Sequence, residues 1–219
     1  MKIQYLLIAI VFSLSFFSCT PDDQKAIVPA FLTINDVSVK TTLNQGTSRD
    51  KITDVNVFIN DQSLGTFELP TSIPIQQTGN VNLKIRGVIN IDGQSNDRQD
   101  YPFYTTFSVD TTFIPETEMI LNPEVQYAST VIFDDPWSGE NFETGISFTV
   151  DPFSDTIFQR VTEAHETIPG EGAAGLAYLT EDHDFFEAWS PTFSNIPRNG
   201  SAVFMEMDSN PLIILQLVS

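Results

Sequence analysis

Residues 81–89 read Val-Asn-Leu-Lys-Ile-Arg-Gly-Val-Ile, and their alternation is the clearest fold signal in the chain. Every second residue is apolar or glycine, whereas Asn82, Lys84 and Arg86 lie between them. Side chains on a β-strand point to opposite faces in turn, so this pattern is typical of a strand with one buried and one exposed face.

The residues before this stretch predict a hairpin followed by an edge strand. Val55, Val57 and Ile59 alternate with Asp54, Asn56 and Phe58, and the turn-forming residues 60–63 separate them from a second alternating run. Proline lacks the amide donor that a central strand needs, so Pro70 and Pro74 indicate a crossover or edge segment over 71–77. About seven short strands from Phe31 onward favour an immunoglobulin-like sandwich over residues 27–122.

The remainder, residues 123–219, is also interpreted as β-rich, so the predicted fold class is all-β. Its strand signals are short, and a final hairpin is predicted to pair 202–207 with 212–218. A length of about 95 residues is small for eight strands with loops, so the prediction is a short jelly-roll-like sandwich.

Charge separates the two parts and restricts the partners. The chain has 29 acidic and 10 basic residues, for a net charge of -19. Residues 19–122 carry 13 acidic and 7 basic side chains, whereas 123–219 carry 16 acidic side chains with only Arg160 and Arg198. This shift supports the boundary at 122/123, and the acidic balance argues against nucleic acid and against adhesion to anionic lipid headgroups.

The first residues form a targeting signal that ends at Cys19. Lys2 precedes an apolar run over 3–17, which is shorter than the roughly twenty residues a membrane-spanning helix needs. An ordinary secretory signal with an incidental cysteine is the alternative. Cys19 is the only cysteine, so no intrachain disulfide can form.

Residues 14–19, Leu-Ser-Phe-Phe-Ser-Cys, resemble the lipobox of bacterial lipoproteins. The resemblance implies a signal peptide over 1–18, acyl chains on Cys19 and a lipidated tether over 19–26. Two or more chains hold a protein on a bilayer, so the membrane is an expected partner. Asp22 and Asp23 resemble the export signal of some surface lipoproteins, although a simple polar tether explains them equally well. The expected location is therefore the outer membrane, at the cell surface.

A second resemblance covers most of the mature chain. Residues 51–60 and 64–70, together with Tyr-Pro-Phe-Tyr at 101–104, are similar to a recurrent pattern in uncharacterised Bacteroidetes-type outer-membrane lipoproteins with two β-sandwich modules. The resemblance extends to Val-Phe-Met-Glu-Met-Asp at 203–208. It implies no catalytic residue.

The sequence lacks the usual signatures of an enzyme. His165 and His183 are the only histidines, and neither belongs to a His-Glu-x-x-His motif. A nucleophile elbow and a phosphate-binding loop with lysine are also absent. A Gly-x-Gly-x-x-Gly string at 170–175 is interpreted as glycines that form turns. Carboxylate pairs for glycoside hydrolysis exist, Glu163 with Glu166 or Glu181 with Glu187, but nothing distinguishes them from chance.

Two binding hypotheses remain for the acidic part. Asp134, Asp135 and Glu140 are candidate calcium ligands because calcium prefers several oxygen donors, although solvated loops explain them too. Trp137, Trp189 and Tyr178 are candidate sugar-stacking residues, with burial in an aromatic core as the alternative. The sequence therefore predicts a non-catalytic lipoprotein that binds a glycan or protein; a structural subunit of an envelope complex and a carboxylate hydrolase are the alternatives.

Overall fold

A computed structural model describes residues 28–91, 97–133 and 139–209 of the chain. Cys19, Trp137, Asp134 and Asp135 lie outside these residues. The described chain is all-β, as predicted, and its strands form several sheets, an arrangement consistent with a β-sandwich.

Ten strands lie between residues 30 and 126. They are β1 (Ala30–Ile34), β2 (Ser38–Lys40), β3 (Asp54–Ile59), β4 (Gln62–Glu68), β5 (Thr71–Ile75), β6 (Gly79–Asn90), β7 (Arg98–Asp100), β8 (Phe107–Phe113), β9 (Glu118–Leu121) and β10 (Glu124–Gln126). One sheet has the order β4-β3-β6-β7, and β8 pairs with the first half of β6. A second sheet has the order β5-β1-β9, with β1 antiparallel to β5 and parallel to β9.

The inner faces of both sheets contribute to one apolar core. Leu32 and Ile34 of β1 are fully buried in the same cluster as Val57 of β3 and Leu83 and Ile85 of β6. The alternation over 81–89 correctly identified the buried face of β6. Burial of these side chains supplies the main driving force for folding, at roughly 1.5–3 kcal/mol for each large aliphatic residue.

The predicted hairpin is confirmed between β3 and β4. Asn60 and Asp61 form a two-residue turn with φ values of 50° and 66°. Positive φ at both central positions matches the right-handed twist of the strands, and Asn and Asp tolerate this conformation. β5, which contains Pro74, is an edge strand, as the prolines predicted.

Strand pairing continues beyond the boundary predicted at 122/123. β10 pairs in parallel with β2, and Val125 and Tyr127 belong to the buried core. Tyr127 also forms an isolated bridge with Tyr104. The shift in charge near residue 122 therefore does not coincide with the end of the packed β-structure.

The later residues form short strands in two pairs. β11 (Thr149–Val150) pairs with β14 (Ala188–Trp189), and β12 (Phe158–Val161) pairs with β13 (Ala174–Ala177). Beside these strands, the rings of Phe142, Phe148, Phe158 and Phe186 form an aromatic cluster. Residues 202–207, predicted as one arm of the last hairpin, contain no strand. Phe204 and Glu206 instead contact Tyr101, Phe103 and Tyr127 through their side chains. The other arm, 212–218, lies outside the described residues.

Candidate functional site

An open cleft of about 440 Å³ lies beside Tyr178, just after the end of β13. Its lining is Ser154, Asp155, Thr156, Ile157, Tyr178, Thr180 and His183. Tyr178 is 57% exposed and Ile157 is 70% exposed, so apolar surface faces solvent next to hydroxyl, carboxylate and imidazole groups. This mixture of aromatic surface and polar groups is typical of ligand sites.

The loop over 151–157 is held between two other segments. The Thr156 hydroxyl donates to the carbonyl of Tyr178 at 2.7 Å, on the side of β13. On the side of β14, the Asp155 carboxylate accepts the amide of Phe185 at 3.0 Å, and the amide of Glu187 donates to the Ser154 hydroxyl at 2.9 Å. These contacts give the cleft a defined wall although few of its residues lie in strands.

Of the two predicted aromatic residues that the structure describes, Tyr178 lies in the cleft and Trp189 lies outside it. Tyr178 lines the cleft, and its hydroxyl donates to Glu166 at 3.2 Å, a bond that raises the pKa of Tyr178. Trp189 is 49% exposed in β14, where its ring nitrogen donates to Glu187 at 3.1 Å. Trp189 is not part of the cleft lining.

The geometry of the cleft does not supply a hydrolytic carboxylate pair. Among the described residues that line the cleft, Asp155 is the only one with a carboxylate side chain. Neither of the pairs suggested by the sequence contributes a residue to it. Both glycosidase mechanisms use two carboxyl groups that face the scissile bond, and the described lining of this cleft supplies one.

The carboxylate of Glu140, a candidate calcium ligand, accepts hydrogen bonds from its own loop. Its carboxylate accepts the amide of Phe142 at 2.8 Å and both the amide and the hydroxyl of Ser147. Burial by itself raises the pKa of Glu140, but these hydrogen bonds outweigh it and hold the pKa below the ordinary value. Across the described ranges, no group of three or more His, Cys, Asp or Glu side chains is arranged to hold a metal ion. Calcium binding stays a prediction.

A second cleft, of about 490 Å³, lies at the β6–β8 end of the larger sheet and is strongly polar. Its side chains bond to one another: Asn82 donates to Asp110 at 2.8 Å, and Thr112 donates to Asn80 at 2.6 Å. It has no aromatic lining residue, so it lacks the flat surface on which a sugar ring stacks.

A cluster of tyrosines around Glu206 was not among the candidate sites predicted from the sequence. The hydroxyls of Tyr101 and Tyr127 donate to the two carboxylate oxygens of Glu206, and the Tyr104 ring lies 4.5 Å from that of Tyr101 and 5.1 Å from that of Tyr127. The segments 101–104 and 203–208 both belonged to the noted resemblance. Their contact was not predictable from spacing, because about a hundred residues separate them.

We expect the tyrosines of this cluster to resist ionisation in the folded protein. Burial raises the pKa of Tyr104 to about 12. The pKa values of Tyr101 and Tyr127 are raised still more, mainly by burial and secondly by the hydrogen bond that each hydroxyl donates to Glu206. A raised folded-state pKa contributes stability that is complete below the unfolded value of about 10 and is lost as pH rises through the folded value. An absorbance titration at 295 nm should therefore show these tyrosines ionising only with alkaline unfolding. Reversible ionisation of all tyrosines near pH 10 would contradict this.

Within the three described ranges, no helix has the length and apolar character needed to cross a bilayer. Comparison of the chain with protein-family models, with curated proteins and with solved structures finds no match.

Proposed function

We propose that this protein is a non-catalytic binding protein that holds a neutral glycan in the cleft beside Tyr178. The observation that carries the proposal is the exposed Tyr178 ring in an open cleft whose other walls supply the Asp155 carboxylate, the His183 imidazole and several hydroxyls. Sugar rings have apolar faces that stack on aromatic rings, and their hydroxyls bond to carboxylate, imidazole and hydroxyl groups.

The charge around the cleft favours a neutral ligand over an anionic one. Glu181, Asp182 and Asp184 are exposed and flank His183 in the sequence, and the only basic residues of 139–209 are Arg160 and Arg198. Arg160 bonds to the carbonyls of Phe142 and Glu143. Carboxylates repel sulfated or uronic-acid sugars, so we expect neutral oligosaccharides to bind more tightly.

Replacing Tyr178 with alanine should weaken glycan binding at least tenfold, which corresponds to about 1.4 kcal/mol. A glycan array would identify the ligand, and calorimetry with that oligosaccharide would compare wild type, Tyr178→Ala and Tyr178→Phe. The phenylalanine variant keeps the stacking ring and should retain most of the affinity. Trp189→Ala is the control for an exposed aromatic residue outside the lining.

Retention of affinity by Tyr178→Ala would show that the ligand binds elsewhere, and absence of binding across the array would contradict a glycan ligand. Release of reducing sugar by the wild type would favour the hydrolase alternative instead.

We also propose that the protein is a lipoprotein of the outer membrane, displayed at the cell surface and held by acyl chains on Cys19. The support is the lipobox-like sequence and the strongly acidic charge, which removes attraction to anionic headgroups. Replacing Cys19 with serine should therefore move the folded protein from the membrane fraction to the soluble fraction. A fractionation in which the Cys19→Ser variant stays with the membrane would overturn the anchor.

The immunoglobulin-like interpretation of the first ten strands belongs to the same proposal. It is supported by two sheets, of three and five strands, that share one core. The jelly-roll-like interpretation of 123–219 has less support, since the later described strands form two-stranded pairs.

A further inference from the structure

The segment 203–208 lies against the first ten strands without forming a strand of its own. Its side chains alternate in their contacts. Phe204 and Glu206 contact residues that directly follow β7 and β10, and Asp208 contacts the loop before β3. Val203, Met205 and Met207 are 51%, 62% and 52% exposed. Three apolar residues of this segment thus face solvent, whereas Phe204 and the two acidic side chains contact the rest of the protein.

The inward side chains meet a matched set of groups, which we call the acceptor groove: Thr47, Arg49, Tyr101, Phe103 and Tyr127. The Phe204 ring contacts the rings of Tyr101 and Phe103 edge to face, at 5.1 and 5.5 Å between centroids. Asp208 accepts Arg49 at 3.0 Å and Thr47 at 2.9 Å.

Glu206 occupies the centre of the groove. Each of its carboxylate oxygens accepts one tyrosine hydroxyl, from Tyr101 and from Tyr127. Hydrogen bonds to a charged acceptor are worth roughly twice those between neutral groups, and two donors that reach both oxygens fix the orientation of the carboxylate. The groove therefore recognises the pattern Phe-x-Glu-x-Asp through one apolar contact and two carboxylates.

The groove residues lie between positions 47 and 127, in the part of the chain that contains the first ten strands. The amide of Tyr101 donates to the carbonyl of Gly87 in β6 at 3.0 Å, and Tyr127 follows β10 and bridges to Tyr104. By contrast, the recorded contacts of 203–208 with the groove are made by side chains alone. Residues 190–202, which lead to this segment, contain no strand or helix in the described chain.

We propose that the acceptor groove is an exchangeable recognition site, and that residues 203–208 of a second copy of this chain occupy it in place of the molecule's own segment. Exchange of an identical element between copies recreates the same contacts, so it costs little when the connection is long enough. The thirteen residues of 190–202 span roughly 45 Å when extended, which is enough to reach a neighbouring groove.

Two variants of the full chain test the exchange. The first, Phe204→Ala/Glu206→Gln/Asp208→Asn, keeps the groove and disables the segment. The second, Tyr101→Phe/Tyr127→Phe, keeps the segment and removes the two hydroxyl donors while leaving both rings. We expect each variant alone to be monomeric in sedimentation, and an equimolar mixture to form a species of twice the mass.

A labelled peptide of residues 202–209 provides the second measurement. It should bind saturably to the first variant and at least tenfold more weakly to a chain that carries both sets of substitutions, and a scrambled peptide should not compete. Far-UV circular dichroism verifies folding, and the single substitution Glu206→Gln replaces the triple variant if the latter misfolds. The proposal is overturned if the peptide binds no better than its scrambled form, or if the mixture remains monomeric.

Discussion

Replacing Arg98 with methionine should lower the free energy of unfolding by about 3 kcal/mol, because it leaves the buried Asp54 carboxylate without its cation. Asp54 is 1% exposed, and Arg98 lies 2.7 Å from it between Nη1 and Oδ1. The Thr53 hydroxyl also donates to this carboxylate at 2.7 Å. The Arg98 side chain is 36% exposed, which places the effect at the lower end of the range for broken buried pairs.

Thermal and urea denaturation would measure this change. It corresponds to roughly 15 °C in Tm if the first ten strands, about 100 residues, unfold as one unit. Lys40→Met is the matched control, because the Lys40–Glu124 pair is 3.7 Å apart with both side chains more than half exposed. Exposed pairs contribute about 0–1 kcal/mol, so the control should be nearly neutral.

The double variant Asp54→Asn/Arg98→Met should recover part of the loss, since it removes the unpaired charge as well. A loss for Arg98→Met no larger than that for Lys40→Met would contradict the role assigned to the buried pair.

Replacing Gly175 with alanine should destabilise the aromatic cluster of the later residues by about 1–3 kcal/mol, as expected for overpacking. A Cβ atom at Gly175 would lie 2.6 Å from Cε1 of Phe142 and even closer to the ring of Phe158. Phe158 contacts Phe142, Phe148 and Phe186, so its ring has little room to move away.

Gly172→Ala, in the loop that leads into β13, is the matched control. The three atoms nearest to a Cβ there all belong to the carboxylate end of Glu143, the first at 2.8 Å, and that flexible side chain can turn away. Hydrogen exchange of the β12 amides should accelerate in Gly175→Ala and remain near wild type in Gly172→Ala. Equal exchange in the two variants would show that the close approach of Gly175 to the rings has no energetic consequence.

Local patterns predicted the elements of the first part well. The two-residue period identified the buried face of β6, and the turn residues placed the β3–β4 hairpin. The prediction that the glycines at 170–175 serve turns was correct only for part of the string. Gly170 has a φ of 89°, as a turn residue can, whereas at Gly175 the rings of Phe142 and Phe158 leave no room for a Cβ atom. Which side chains surround a residue is not encoded in its neighbours along the chain.

The candidate site was predictable only in part. Tyr178 was identified as an aromatic candidate for stacking, and it is exposed in a cleft. The cleft itself combines 154–157 with 178–183, two loops that are adjacent because β12 and β13 pair and Thr156 bonds to the Tyr178 carbonyl. The burial of Asp54 beside Arg98 was not predicted from the alternation of residues 54–59.

The sequence by itself determined the all-β class, the buried face of the longest strand, the first hairpin and the strongly acidic charge of the later residues. These properties depend on residue types at short spacing, where side-chain direction and turn geometry are local. Tertiary structure alone decided that β10 joins β2 beyond residue 122, that Asp54 is buried beside Arg98 and that Glu206 docks between two tyrosines. Each of these contacts joins groups far apart in the chain, and it forms because the folded core brings complementary charges and donors within bonding distance.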